Sequence, residues 1–216
     1  PIGIAAIALI TLYLKSEWAG SAGEPFDVGG AVQYGLTLVC VMYGFSLLPG
    51  REGFILLIAG SVMLGVFILR ELRITYPLLN MNLFRSNRVF TYSSLAALIN
   101  YSATFSITFF LSLYLQYIRG FPASYAGPIL VIQPAVQALF SSWAGRLSDR
   151  IEPGKIASTG MTILAAGLML LTLIGPDTPV VLLAAVLALL GFGFALFSSP
   201  NVNAILSSVE KKYLGI

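Results

Sequence analysis

A chain of 216 residues that is 57% hydrophobic and 10% charged is no ordinary soluble domain, where about a quarter of the residues are charged; it reads as an all-α integral membrane protein. The net charge of +3 is small, and the arginines stand at the ends of apolar runs rather than among aromatic residues in a patch, which excludes a nucleic-acid partner. There is no histidine, and the one cysteine, Cys40, lies inside an apolar run, so the chain holds no intrachain disulfide and a Cys/His metal site is not expected.

Pro1–Leu14 is apolar, but its 14 residues fall short of the about 20 that a spanning helix needs. The basic start and cleavage site of a signal peptide are missing. A short interfacial segment is one reading; the clipped end of a longer helix is the other, and with it the chain is expected to be an internal fragment of a longer protein. Residues 15–28 form a polar linker with Gly20, Gly23 and Pro25. Gly29–Leu48 and Gly53–Leu69 are membrane-length runs joined by the turn Pro49-Gly50-Arg51-Glu52, a two-helix hairpin over 29–69. The polar connection 70–88 follows. Its middle, Tyr76–Phe84, is amphiphilic and suits the membrane surface. Four more runs fill 89–216: Val89–Ile118, Ala126–Ala144, Ile156–Ile174 and Val180–Ser208. About six full spans plus one clipped span are expected.

Basic residues set the orientation. With the linker at Lys15 in the cytoplasm, alternation puts Lys15, Arg70, Arg73, Arg85, Arg88, Arg146, Arg150, Lys155, Lys211 and Lys212 inside and only Arg51 and Arg119 outside. The bias places the connection 70–88 and the charged hinge Gly145–Lys155 in the cytoplasm. It also supports the helix count, because one missed span would scramble the alternation.

The nine acids all fall in loops or at helix ends. None is mid-membrane, where an ionisable group would mark a functional site, so no buried carboxylate for a proton relay is expected here. Without histidine or a buried acid, no hydrolytic constellation can be assembled, and no glycine-rich loop follows a strand. An enzyme is a distant reading. The uncharged polar residues say more. Asn100, Thr104, Thr108, Ser112 and Gln116 recur every four positions, which on a helix makes one slowly winding stripe. Gln133, Gln137 and Ser141 repeat the spacing in the next run. Such stripes face either another helix or water: they are helix–helix contacts, or they line a water-filled cavity beside Tyr101, Phe105 and Phe109. In the last run Gly191, Ala195 and Ser199 have small-xxx-small spacing, and Pro200 is expected to bend the helix where its missing N–H leaves a carbonyl free.

The hinge holds Gly145, Leu147, Asp149, Arg150, Gly154 and Lys155. A carboxylate there can accept hydrogen bonds from a helix N-terminus, and Pro153 suits the first turn of the following helix. An ordinary positive-inside loop would look the same.

Gly145-x-Leu147-Ser148-Asp149-Arg150 followed by Gly154-Lys155 resembles the Gly-x-Leu-(Ala/Ser)-Asp-Arg-x-Gly-(Arg/Lys) loop of the major facilitator superfamily. Other stretches are similar to its fourteen-helix drug:proton antiporters. Pro1-Ile2-Gly3-Ile4 resembles the opening of their sixth helix, and Phe26-Asp27-x-x-Gly30 the start of the extra central pair. Leu83-Phe84-Arg85-x-Asn87-Arg88-x-Phe90 and Tyr114-Leu115-Gln116 with Gly120 resemble the two ends of the ninth, and Gly191-x-Gly193 with Ser199-Pro200-Asn201 the twelfth. In order, these cover nearly the whole chain. The chain departs from the loop pattern at Glu152 and Pro153, which shift the glycine and add an acid.

The resemblance implies a partial major-facilitator-type helical bundle from late helix six to the end of helix twelve: the inserted pair and the first four helices of the C-terminal bundle. It implies proton-coupled efflux of drug-like or amphiphilic molecules in a prokaryotic inner membrane, driven by the proton gradient and with no cofactor or metal. Gly145, Leu147, Asp149, Arg150, Gly154 and Lys155 would form a cytoplasmic latch. The implied partners are a small-molecule substrate, the lipid bilayer, and the N-terminal bundle and last two helices of the same protein. A membrane module without transport, serving as sensor or assembly partner, is the alternative.

Overall fold

The computed structural model describes Gly3, Leu12 and residues 25–209. The clipped span 1–14 and the linker before residue 25 therefore lie almost wholly outside the described residues. Seven helices follow: α1 (Val28–Ser46), α2 (Arg51–Glu71), the short α3 (Asn82–Ser86), α4 (Arg88–Leu113) with a π-helical turn at Tyr114–Ile118, α5 (Ala123–Ser148), α6 (Pro153–Leu171) and α7 (Val180–Ser208). No strand occurs among the described residues. All but α3 are long and apolar enough to cross a membrane, as expected for the six full spans.

Two local expectations change. Tyr76–Phe84 is not one continuous helix: Pro77 keeps Tyr76 out of the helical region, the stretch runs through turns, and only α3 begins within it. The charged hinge is also shorter than Gly145–Lys155. Nothing in Gly145-Arg146-Leu147-Ser148 stops a helix, and a basic residue in a last turn favours the dipole there. These residues finish α5, Pro153–Lys155 already belong to α6, and only Asp149–Glu152 turn the chain.

The helices fall into two compact units, one holding α1 and α2, the other spanning Leu83–Val209. In the first, the buried residues of α1 are Gly30, Thr37 and Gly44, seven apart; on α2, Gly53, Gly60 and Phe67 keep the same spacing. A seven-residue repeat holds one seam along a pair of helices. Near the turn the seam is so narrow that a Cβ on Gly53 would lie 2.9 Å from the carbonyl oxygen of Gly44. At the other end the fully buried Phe67 fills the gap, its ring 5.4 Å from that of Tyr34. Lipid is as apolar as leucine, so close packing rather than a hydrophobic force holds such pairs together.

In the second unit α7 is the central helix. It is apolar all round, as a helix enclosed by others must be. Leu183, Val186, Leu187, Leu190, Phe194 and Phe197 of α7 form one core with Leu111 and Leu115 of the α4 rod, Ala126 and Ile129 of α5, and Leu164 of α6. Glycines bring the partners close. Gly160 of α6 faces the backbone of Gly193 and Phe197, and Gly191 abuts the carbonyl of Gln133 on α5. Polar ties join α4 to α7: Asn87 Nδ2 donates to the Ser208 carbonyl at 2.5 Å and Asn201 Nδ2 to that of Ser93 at 3.1 Å. Arg85, Arg88, Arg146, Arg150 and Lys155 gather at the end of this unit where α4 starts and α7 finishes. At the opposite end, Arg119 Nη1 donates to the carbonyls of Pro176 and Thr178 at 2.7 and 2.5 Å.

Candidate functional site

The second unit holds a groove of about 460 Å³ lined by Tyr101, Thr104, Phe105, Thr108, Phe109 and Ser112 of α4 and Leu130 of α5. Hydroxyls at 104, 108 and 112 and rings at 101, 105 and 109 each step by four, the spacing that stacks side chains along one helix face. Three of the expected cavity residues (Thr104, Thr108 and Ser112) meet here with the three neighbouring aromatics. The other four do not line the groove. Asn100 is buried, its Nδ2 directed at the Met161 sulfur 3.2 Å away. Gln116 reaches back to Ser112. Gln133 is buried on α5, and Gln137 is half-buried. Tyr101 ties the wall to α7: its hydroxyl lies 3.3 Å from Ser198 Oγ and its ring packs edge-on to Phe194.

α7 runs unbroken through the buried Pro200 to Ser208. The expected bend therefore leaves the helix continuous, and the residue after the proline, Asn201, is one of those that tie α7 to α4.

At the charged turn, Asp149 caps the C-terminus of α5 and is exposed, as is Arg150. Within the described residues Asp149 does not cap α6. Glu152 holds the N-cap position of α6 without a side-chain cap bond. Its carboxylate instead pairs with Lys155 at 3.1 Å, both side chains being largely exposed. The acid that departs from the family pattern thus engages the loop's lysine. The turn is anchored from behind. Ser148 Oγ donates to the Gly145 carbonyl at 2.7 Å and accepts from Asn203 Nδ2 of α7 at 3.0 Å. Gly145 leaves room for Ser199, whose Oγ would be 2.9 Å from a Cβ.

One polar cluster was not foreseen. Asp27 caps α1 by accepting from the Gly30 N–H at 2.9 Å and grips Arg70, at the end of α2, through two bonds of 2.6 and 2.7 Å. The Arg70 guanidinium, helped by the Gly30 N–H, holds the Asp27 carboxyl down at about 2. Glu71 is buried, against the expectation that no carboxylate here would be, and accepts from the Leu79 N–H at 2.7 Å. The available signal was the antiparallel pairing itself, which brings the start of α1 to the end of α2. No group of three metal-ligating side chains occurs among the described residues.

The sequence matches the Major Facilitator Superfamily over residues 2–216, and the chain belongs to that family. It is a multi-pass membrane protein. Curated relatives cover its full length. A riboflavin transporter of Clostridioides difficile is 27% identical, with 47% of the relative covered. A tetracenomycin C resistance and export protein of Streptomyces glaucescens is 26% identical, with 41% covered. A multidrug transporter protein of Bacillus subtilis is 27% identical, also with 41% covered. The chain thus spans less than half the length of these relatives.

Proposed function

We propose that the chain is part of a secondary active transporter of the fourteen-helix antiporter type, which exports drug-like or amphiphilic small molecules from a prokaryotic cell in exchange for protons. Two bundles would rock about a central site, the second being supplied by the rest of the same protein. The observation that carries this reading is the groove: threonine, serine and aromatic residues without a formal charge line a largely apolar surface, which suits ligands that are mainly apolar. Names of relatives that include an export protein and a multidrug transporter agree with it. Asp149 and Arg150, exposed at the end of α5, would meet a partner helix end as a latch.

The test is thiol labelling of the full-length protein in cells, in a Cys40→Ser background without other cysteines. Cysteines at Thr104 and Thr108 should react with a small membrane-impermeant maleimide, and one at Leu130 more weakly. Failure of both threonine positions to label would make the stripe dry helix packing and remove the substrate-site reading. For the latch, full-length Asp149→Asn should insert normally and export poorly; undiminished export would end that role.

A further inference from the structure

We infer that the corner where α3 joins α4 binds the headgroup of an anionic phospholipid, whose acyl chains lie along the outer face of α4; this is independent of the groove and of any transported molecule. The corner is firmly built. The Asn87 N–H donates to the Leu83 carbonyl at 3.0 Å, and the Thr91 hydroxyl is shared between the Phe84 and Asn87 carbonyls at 2.7 and 2.9 Å. The rings of Phe84 and Phe90 meet edge-on at 4.9 Å. Asn87 in turn ties the corner to the Ser208 carbonyl at the end of α7. Arg85 and Arg88 stand on either side of Asn87, and both are exposed.

Their charge is uncompensated. Among the described residues neither guanidinium has a hydrogen-bond, ion-pair or ring partner. No acid occurs between Glu71 and Asp149, and the residues after α7 bring two lysines, Lys211 and Lys212, against Glu210. Arg88 is the first residue of α4, whose first turn holds no acid, and a cation there adds to the positive end of the helix dipole. Guanidinium groups match phosphate oxygens bidentately. Below the corner the surface turns apolar. Arg88, Tyr92, Leu95 and Ile99 step by four, three and four, the spacing of one helix face, and all are exposed. The stripe runs about 16 Å from the arginine, close to the depth of one leaflet. Tyr92, one turn in, is the amphipathic ring of the membrane interface, and Leu95 and Ile99 lie at acyl-chain depth. A free phosphate would use the arginines and leave this stripe idle, so the stripe commits the site to a lipid. A zwitterionic headgroup brings its own ammonium, which the arginines repel; an anionic one does not.

The experiment uses the full-length protein with p-benzoylphenylalanine in place of Leu95. It is reconstituted in vesicles of one part phosphatidylglycerol to four parts phosphatidylcholine with identical acyl chains, irradiated, and the adducts are identified by mass. Phosphatidylglycerol adducts should exceed the vesicle ratio by about thirtyfold, or about fivefold per arginine. The preference should vanish in Arg85→Gln/Arg88→Gln and mostly persist in Arg85→Lys/Arg88→Lys. The same probe in place of Val181, exposed at the opposite end of the unit, should report the vesicle ratio throughout. Adducts at the vesicle ratio at Leu95, or a preference that the glutamine pair leaves untouched, overturn the site. Equal loss in both pairs marks a packing defect rather than a charge effect and overturns it too. Crosslinking at Leu95 to another segment of the same protein, or to a second copy, in place of lipid shows a protein-covered face and likewise overturns it.

Discussion

Gly160→Ala tests the packing that positions α6 and the charged turn. The added Cβ would lie 2.6 Å from the Phe197 amide nitrogen, 2.7 Å from the Gly193 carbonyl oxygen and 2.9 Å from the Leu196 carbonyl carbon. All three are backbone atoms of α7, so no rotamer change relieves them. Ordinary contact starts near 3.4 Å, so α6 and α7 must part by about 0.8 Å in an interior packed as densely as a crystal. Overpacking of this kind costs about 1–3 kcal/mol. Alanine returns about 1 kcal/mol through helix propensity, leaving a net loss of up to about 2 kcal/mol. Gly193→Ala is milder, because its Cβ meets the end of Ile163 at 3.0 Å and the Gly160 oxygen at 3.1 Å. Gly127 on α5 has nothing within 4 Å and serves as the control. Thermal unfolding of the full-length protein in one detergent should rank Gly127→Ala at or above the parent, then Gly193→Ala, then Gly160→Ala. The last should lose up to roughly 8 °C relative to the parent, at about 2–4 °C per kcal/mol. If Gly160→Ala melts with Gly127→Ala, the two helices do not touch at this glycine.

Three further outcomes follow from the polar contacts. The Asp27 carboxyl is held at about 2 against its ordinary 3.8, so its support for the hairpin is present above the higher value and lost as pH falls through the lower. Hydrogen exchange at the start of α1 should be slowed by the ion pair at neutral pH, and it should gain an acid-driven rise between about pH 4 and 2 that Asp27→Asn lacks; the same rise in that variant would clear Asp27 of the role. Arg119→Gln removes the side chain that binds the Pro176 and Thr178 carbonyls, so amide exchange in Gly175–Pro179 should quicken at least several-fold while that at the charged turn stays constant. Asn87 both caps α4, through the Phe90 N–H at 3.0 Å, and donates to Ser208. Asn87→Ala should cost about 1–2 kcal/mol, whereas Asn87→Asp keeps the cap and should recover part of it in a melting assay.

How much was legible depends on the range of the interaction. The spans were readable because lipid demands about 20 apolar residues in each, a local property, and the six runs from Gly29 to Ser208 became the six long helices. The ends of α5 and α6 were misjudged because polarity was taken as the end of the helix. A helix leaving the membrane keeps its backbone bonds after its side chains turn polar, so α5 carries Arg146 and Ser148 past the last apolar run. The seam of the hairpin was written in the sequence as Gly30, Thr37, Gly44 and Gly53, Gly60, Phe67, and a search at period seven rather than four finds it. The stripe on α4 shows the opposite case. Its period of four was plain, yet the same period lets each hydroxyl reach the carbonyl four residues back, and only coordinates reveal that Thr104 and Thr108 spend their hydrogens there. Composition counted those residues as polar; geometry makes them acceptors. Glu71 is the remaining lesson. Beside Arg70 at a helix end it reads as a surface charge, yet it is buried and accepts from the Leu79 N–H eight residues later, a contact that no periodicity encodes. The acid cluster is therefore best understood as a lock on the hairpin.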